Sequence, residues 1–421
     1  MTRQNQKGWA GTRITGGRIS HEDPNVDLVG REWAEAAMDM LYMDDAVASA
    51  WEAVSATLLS ARWAWEPGDP TSEFSVKLAR EANEMMGLAG KPGRMNRAWE
   101  DIVAELIMHE FIGFRYAEPI WEYVDRHGYD LVDLADRDPR VHSQWVIDGP
   151  NLLAVKQLPP VLDSRSGLRG TVEIPANELL LLTRGKTGQN YEGRGLSRAA
   201  YFLWKLKTHV LDMISIGAER WAFSTPMING DRQGAKEAGV TDTEFDQQLE
   251  AARDALENFF AQEAAYLEGT PFVRFEEYGQ SLNAAPMLEI VRHCDMSILR
   301  CFLVQFLSLG ISDTGSRSVG EVHETFFRRA CINVLDRIAA AMNGKNRSGG
   351  GVVGRWVEYN YGEVSTRLYP RLTHAGLDVD RLLEVIPLLP ELDLAAINAL
   401  RSRAGLAHVE ATEEGGATNA S

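Results

Sequence analysis

This 421-residue chain is short of several things, and each shortage narrows its function. It has three cysteines, Cys294, Cys301 and Cys331, whose spacing matches no metal-binding pattern. An odd number leaves at least one thiol unpaired within the chain, which fits a reducing compartment. Bases are scarce beside acids: 43 Lys and Arg face 60 Asp and Glu, for a formal net charge of −17. Affinity for phosphate rests largely on Lys and Arg. The balance therefore argues against a tight grip on nucleic acid, but not against a protein that lets DNA slide past. The N-terminal stretch lacks the apolar core of a signal peptide. The most apolar run, residues 297–309, contains Arg300 and Gln305 and is too short to span a bilayer. These absences predict a soluble intracellular chain with no membrane partner.

Catalytic constellations are missing as well. A strand-like run of leucines leads into Gly185-Lys186-Thr187, but a phosphate-binding loop needs a glycine at position 180, which is Leu. His109-Glu110 lacks the second histidine of a zinc-protease pair, and His323-Glu324 fails in the same way at Phe327. His293 and Cys294 are adjacent, and neighbours on a helix do not face each other. We expect no enzyme, no metal and no cofactor.

What the sequence does have is apolar patterning. Hydrophobic residues make up 45%, enough to argue against wholesale disorder. The most informative stretch is residues 191–198, YEGRGLSR, which opens a helical pattern ending near Trp221. Gly193 and Gly195 allow a tight turn, and Ser197 is expected to cap the helix. Leu203, Leu206, Val210, Met213 and Ile214 then recur at three- and four-residue spacing. At about 1.5 Å per residue this makes a rod of roughly 38 Å. A rod that long, with no catalytic cluster nearby, suggests a structural part.

The rest divides into blocks. Residues 1–30 read as a polar, flexible arm. Helical patterns cover 31–62, 73–86 and 97–112; short strands are expected at 115–123, 144–147, 153–157, 171–174 and 179–183. A second small unit follows the rod. It has strands at 226–229, 265–268 and 273–278, and a helix opened by a capping box, Thr241 to Glu244. Phe245, Leu249 and Leu256 are its expected core, with Trp221 packed at the end of the rod. A mostly apolar helix at 286–309, a loop at 310–318 and a helix at 319–342 come next. Residues 352–361 read as a returning strand, and 378–389 and 393–404 as short helices before a polar tail. The fold class is α+β.

This order resembles the phage portal proteins, most closely the Mu-like branch. The resemblance is carried by residues 43–47 (MDDAV) with 61–67 (ARWAWEP), by 191–201 (YEGRGLSRAAY, beside that branch's GRGLLR) and by 320–324 (GEVHE). It covers roughly residues 32–362. The FGMP stretch usual after the stem helix is here residues 222–227, AFSTPM. The resemblance implies a portal-type protomer with an α/β wing (31–195), a stem helix (196–224) and a small α/β clip (225–284). It also implies a second stem helix (285–309) and a tunnel loop (310–318). A long helix returning to the wing (319–365) and a small crown with a disordered tail (366–421) complete it. Gly193, Arg194, Gly195 and Ser197 would form the stem opening. Gly310, Ser312, Asp313, Thr314, Gly315, Ser316, Arg317 and Ser318 would line the channel at its narrowest part, with Arg317 meeting the phosphates.

The implied role is a ring, dodecameric in the particle, at one capsid vertex, assembled in the host cytoplasm. Its implied partners are the terminase large subunit, the head–tail connector or adaptor, the major capsid protein or scaffold, and double-stranded DNA passing through without sequence preference. Residues 231–268, within the implied clip, hold ten acids and three bases. An acidic lumen would repel phosphate and prevent tight binding. Another structural virion protein, a head–tail adaptor or minor head protein, is the alternative.

Overall fold

The computed structural model describes residues 11–20, 23, 25, 28–125, 127–148, 151–158, 170–222, 225–260, 272–278, 284–305, 317–344 and 351–377. The chain mixes helix and sheet and divides into two compact units: residues 1–202 with 296–421, and residues 203–295.

Within residues 1–30, where an arm was expected, the described residues of the larger unit include a hairpin. β1 (Arg13–Thr15) and β2 (Arg18–Ser20) pair antiparallel across Gly16 and Gly17. Both glycines have positive φ, 59° and 80°, as the tightest hairpin turns require. Gly17 accepts from the Trp145 backbone N–H at 2.9 Å, and Ile19 is buried. The expected helix at 31–62 is broken into α1 (Gly30–Met43) and α2 (Asp45–Leu59). Asp44 makes the break. Its extended backbone ends α1, and its carboxylate caps α2 by accepting from the Val47 N–H at 3.0 Å. Beyond α2, β3 (Arg62–Glu66) is a strand, not a helix end.

α3 (Glu73–Met86) lies where periodicity puts it, between Ser72, which caps it, and Gly87 in the left-handed region. α4 (Trp99–Leu106) and the short α5 (Met108–Ile112) divide the expected 97–112 helix. β4 (Phe114–Val124) pairs with β5 (Gly128–Arg137) on one side and, after intervening chain, with β9 (Leu180–Thr183) on the other. A second three-stranded sheet holds β6 (His142–Asp148), β7 (Asn151–Gln157) and β8 (Val172–Pro175) in that order.

Late in the chain, Arg317–Met342 is a long helix, and residues 351–361, expected as a strand, form another helix, Gly351–Tyr361. Its buried side chains, Val352, Val353, Trp356 and Val357, recur at helical spacing. The β-branched valines suggested a strand, but propensity yields to that packing stripe. β12 (Arg371–Ala375) then returns to pair with β3. The large interior is aromatic: Trp99, Tyr116, Phe111, Phe114, Trp145 and Phe302 are almost fully buried. Each buried Phe alone contributes about 1.5–3 kcal/mol of transfer free energy.

α6 (Leu196–Ala222) runs from the larger unit into the smaller one. In the smaller unit, β10 (Thr225–Gly230) pairs antiparallel with β11 (Val273–Tyr278). α7 (Arg232–Glu237) and α8 (Asp242–Phe260) accompany that ribbon. The capping box is formed: Glu244 accepts from the Thr241 N–H at 3.0 Å, and Thr241 Oγ1 accepts from the Glu244 N–H at 3.4 Å. The core is Ala235, Phe245, Ala252 and Val273, with Ile228, Val240 and Phe272 against it. α9 (Ala285–Cys301) ends earlier than the pattern to 309 suggested; Leu303 turns the chain with φ 63°. The expected strand at 265–268, the helices at 378–389 and 393–404, and the side chain of Trp221 lie outside the described residues. No described helix is long and apolar enough to cross a membrane.

Candidate functional site at the start of the long helix

The stem-opening residues are packed to contact. Gly193 has φ 59°, and a Cβ there would overlap the Arg184 carbonyl. A Cβ on Gly195 would overlap the Phe111 carbonyl. Gly113, at the end of α5, has φ 125°, and its Cβ would lie 2.5 Å from the Glu192 carbonyl. Three glycines thus let the α5–β4 turn and the start of α6 approach backbone to backbone. Hydrogen bonds close the clasp. The Arg184 N–H donates to Gly113 at 2.8 Å, and the Arg194 N–H donates to Arg184 at 3.0 Å.

Ser197 corrects the sequence reading. Its hydroxyl does not cap α6 but donates to the Phe111 carbonyl at 2.6 Å from a fully buried site. Beside it the Trp33 indole donates to Ile112 at 2.6 Å. Both bonds satisfy carbonyls left open at the end of α5. Arg198 pairs with Asp23 and lies 5.4 Å and 5.5 Å from the Trp33 and Tyr201 ring centres.

Two carboxylates flank the clasp, Glu192 half-buried and Glu110 buried. Glu192 accepts from the Gly30 N–H at 2.8 Å and the Trp145 indole at 3.0 Å. Burial raises its pKa, and those two hydrogen bonds oppose the rise. Glu110 is paired instead with Arg184, at 2.8 Å, and with Arg337 of the long C-terminal helix. His109 Nδ1 lies 2.7 Å from the Leu106 carbonyl and therefore donates; its Nε2 is 3.2 Å from Glu110. Burial pushes the Glu110 pKa up, but the His109 hydrogen bond and the charges of His109, Arg337 and Arg184 outweigh it and hold it at about 2. The His-Glu pair is thus an ion knot joining α5, the end of β9 and the helix Arg317–Met342. Burial and the Glu110 charge push the Cys331 thiol up to about 12, which leaves it unreactive.

The other expected site residues fall differently. Gly310, Ser312, Asp313, Thr314, Gly315 and Ser316 lie outside the described residues. Arg317 and Ser318, expected in the loop, are instead the first residues of a helix. Phe245 is in the small core, whereas Leu249 and Leu256 are half-buried. Sequence reasoning missed Glu110, Glu192, Arg184, Arg337 and Gly113. Gly113 following an apolar helical run was a readable C-terminal signal; the charge pairings, some 74 and 227 residues apart, left no local trace.

Residues 34–398 match a family described as portal protein of Mu bacteriophage. No curated protein matches the chain. Among solved structures, the neck of a native gene transfer agent particle, computed with C12 symmetry, has TM-score 0.54 at 12% identity, covering 90% of this chain and 95% of that one. The virion of a native gene transfer agent particle has TM-score 0.54 at 13% identity, over 94% and 97%. The neck of an empty particle, computed with C6 symmetry, has TM-score 0.52 at 13% identity, over 90% and 99%. At these identities the likeness is one of fold.

Proposed function

The chain belongs to the portal protein family of Mu bacteriophage, and on that premise we propose that its copies close head to tail into a dodecameric ring at one capsid vertex. Double-stranded DNA passes through the ring during packaging and ejection. Residues 31–195 act as wing, 196–224 and 285–309 as stem, the second helix of which ends at Cys301, 225–284 as clip and 310–316 as tunnel loop. The clip meets the terminase large subunit and later the head–tail connector, and the major capsid protein or scaffold surrounds the wing. The ring assembles in the host cytoplasm and ends in the virion. Its work is structural rather than enzymatic.

The family match over most of the chain carries this reading. Exposed apolar side chains support it: Phe202, Leu211, Met213 and Ile216 of α6 and Leu288 and Ile290 of α9. A heterologous interface that repeats around a closed ring covers such side chains on every copy. Native mass spectrometry of the full chain tests it, with negative-stain images alongside. Closed rings are expected; a monomer at every salt concentration would overturn the proposal. Shortening residues 312–316 should leave the ring intact and lower genome content per particle. Normal content would make that segment a plain connector.

A further inference from the structure

A chain of aromatic rings lies at the free end of the β4–β5 hairpin. Tyr123 and Tyr129 are paired across the two strands, with ring centres 5.5 Å apart. Tyr129 is 5.6 Å from Tyr359, on the helix Gly351–Tyr361, and Tyr359 stands perpendicular to Trp121 at 5.4 Å. The three tyrosines are 64%, 42% and 49% exposed. Single exposed aromatics are ordinary, but a connected patch marks a contact surface. The backbone beneath is fixed. The Asn360 side chain accepts from the Tyr129 N–H at 2.7 Å and donates to the Tyr129 carbonyl at 2.8 Å. Tyrosines on a fixed backbone lose little freedom when they bind.

Along the chain, carboxylates outnumber bases beside these tyrosines, four against Arg126 and Arg355. Glu122 and Asp125 flank Tyr123 in sequence, Glu358 precedes Tyr359, and Glu363 follows the helix; all four are exposed. Glu358 and Glu363 both act electrostatically on the Tyr369 phenol. Among the described residues none of the four is in an ion pair. Aromatic faces attract cations, arginine most often, and carboxylates complete a guanidinium's hydrogen bonds. The same carboxylates repel phosphate. We propose that this patch docks an extended, arginine-bearing segment of a partner protein, with guanidinium groups stacked on Tyr123, Tyr129 and Tyr359 and paired to the surrounding carboxylates. The proposal does not depend on ring formation.

The test titrates the full chain, by fluorescence anisotropy, with a fluorescein-labelled octapeptide alternating Arg and Gly, and with its Glu-Gly counterpart. The Arg peptide should bind and the Glu peptide should not. Tyr359→Ala and Tyr129→Ala should each weaken binding about two- to fivefold, whereas Tyr359→Phe, which keeps the ring, should not. Glu358→Gln with Glu363→Gln, at exposed positions that leave folding intact, should weaken binding and flatten its salt dependence. Four results would each overturn the proposal. The Arg peptide fails to bind the unmutated chain. Tyr359→Ala and the double Gln variant bind as well as it does. Duplex DNA displaces the peptide. Tyr359→Ala changes the oligomer seen by native mass spectrometry, which would make the patch a contact between copies of this chain.

Discussion

The two units hold themselves together by different means. The larger one buries a broad aromatic interior and sets charges inside it, each with a partner: Glu110 with two arginines, Asp130 with Arg94 in a two-point contact at 2.6 and 3.0 Å. The smaller one has a core centred on Phe245; it buries Lys207 against Asp295 at 2.6 Å, but its Arg232–Asp242, Arg232–Asp246 and Lys236–Asp242 pairs are all about half exposed. Exposed pairs contribute about 0–1 kcal/mol each. The larger unit therefore depends on exact fit, and a single atom in the wrong place is costly. The smaller unit depends on modest burial and tolerates loosening.

The sharpest way to break this contrast is Gly195→Ala. The added carbon would overlap the Phe111 carbonyl, and backbone, not a flexible side chain, must move. We expect a loss of about 4 kcal/mol or more, read by chemical denaturation; near-normal stability would mean that the clasp yields. Next is Glu110→Ala, which leaves Arg184 and Arg337 without their shared anion. Breaking a buried pair costs about 3–5 kcal/mol. Both arginines are about one-third exposed, so about 2–3 kcal/mol is expected after screening.

In the smaller unit, Leu249→Ala removes a half-buried side chain that would lie 3.6 Å from a Cβ on Gly230. About 1–2 kcal/mol is expected, below the range for full burial. Hydrogen exchange should quicken in 225–278 and stay unchanged in 31–195; uniform loss would dissolve the two-unit comparison. The smallest effect is a pH effect. Burial, and then the Arg18 charge, hold the His142 imidazole down at about 3, against an ordinary 6.5. The unfolded chain therefore binds the proton first, and stability falls as pH drops below 6.5 toward 3. Between pH 7 and 6 the loss is about 0.7 kcal/mol. His142→Phe should remove that slope from thermal melts; an unchanged slope would assign it to another group.

Much of the architecture was legible because it is local. α3 is bracketed by Ser72 and Gly87, and the 241–244 capping box is formed where the pattern puts it. β5 was not legible. Its sequence, GYDLVDLADR, looks too acidic for a partly buried strand, yet Asp130, Asp133 and Asp136 are matched by Arg94, Arg97 and Arg115. Such neutralisation comes from elsewhere in the chain and leaves no period to read. The site divides the same way. The glycines of 193–195 announced a tight turn, but nothing local said what they press against. The hydroxyl of Ser197 looked like a cap because capping is the nearest use for it. Its actual acceptor, Phe111, is 86 residues away.

The glycine clasp also sets the phase of α6. An α-helix turns about 100° per residue, so a helix fixed at one end has every later side chain assigned a bearing. Ala200, Trp204, Lys207 and Val210 form a buried line along it, while Phe202, Leu211 and Ile216 point outward. One residue inserted just after Ser197 would rotate that whole assignment and carry the outward residues off their bearing without unwinding a turn. In a ring, where each copy must present the same bearing to the next, such an error would repeat at every interface.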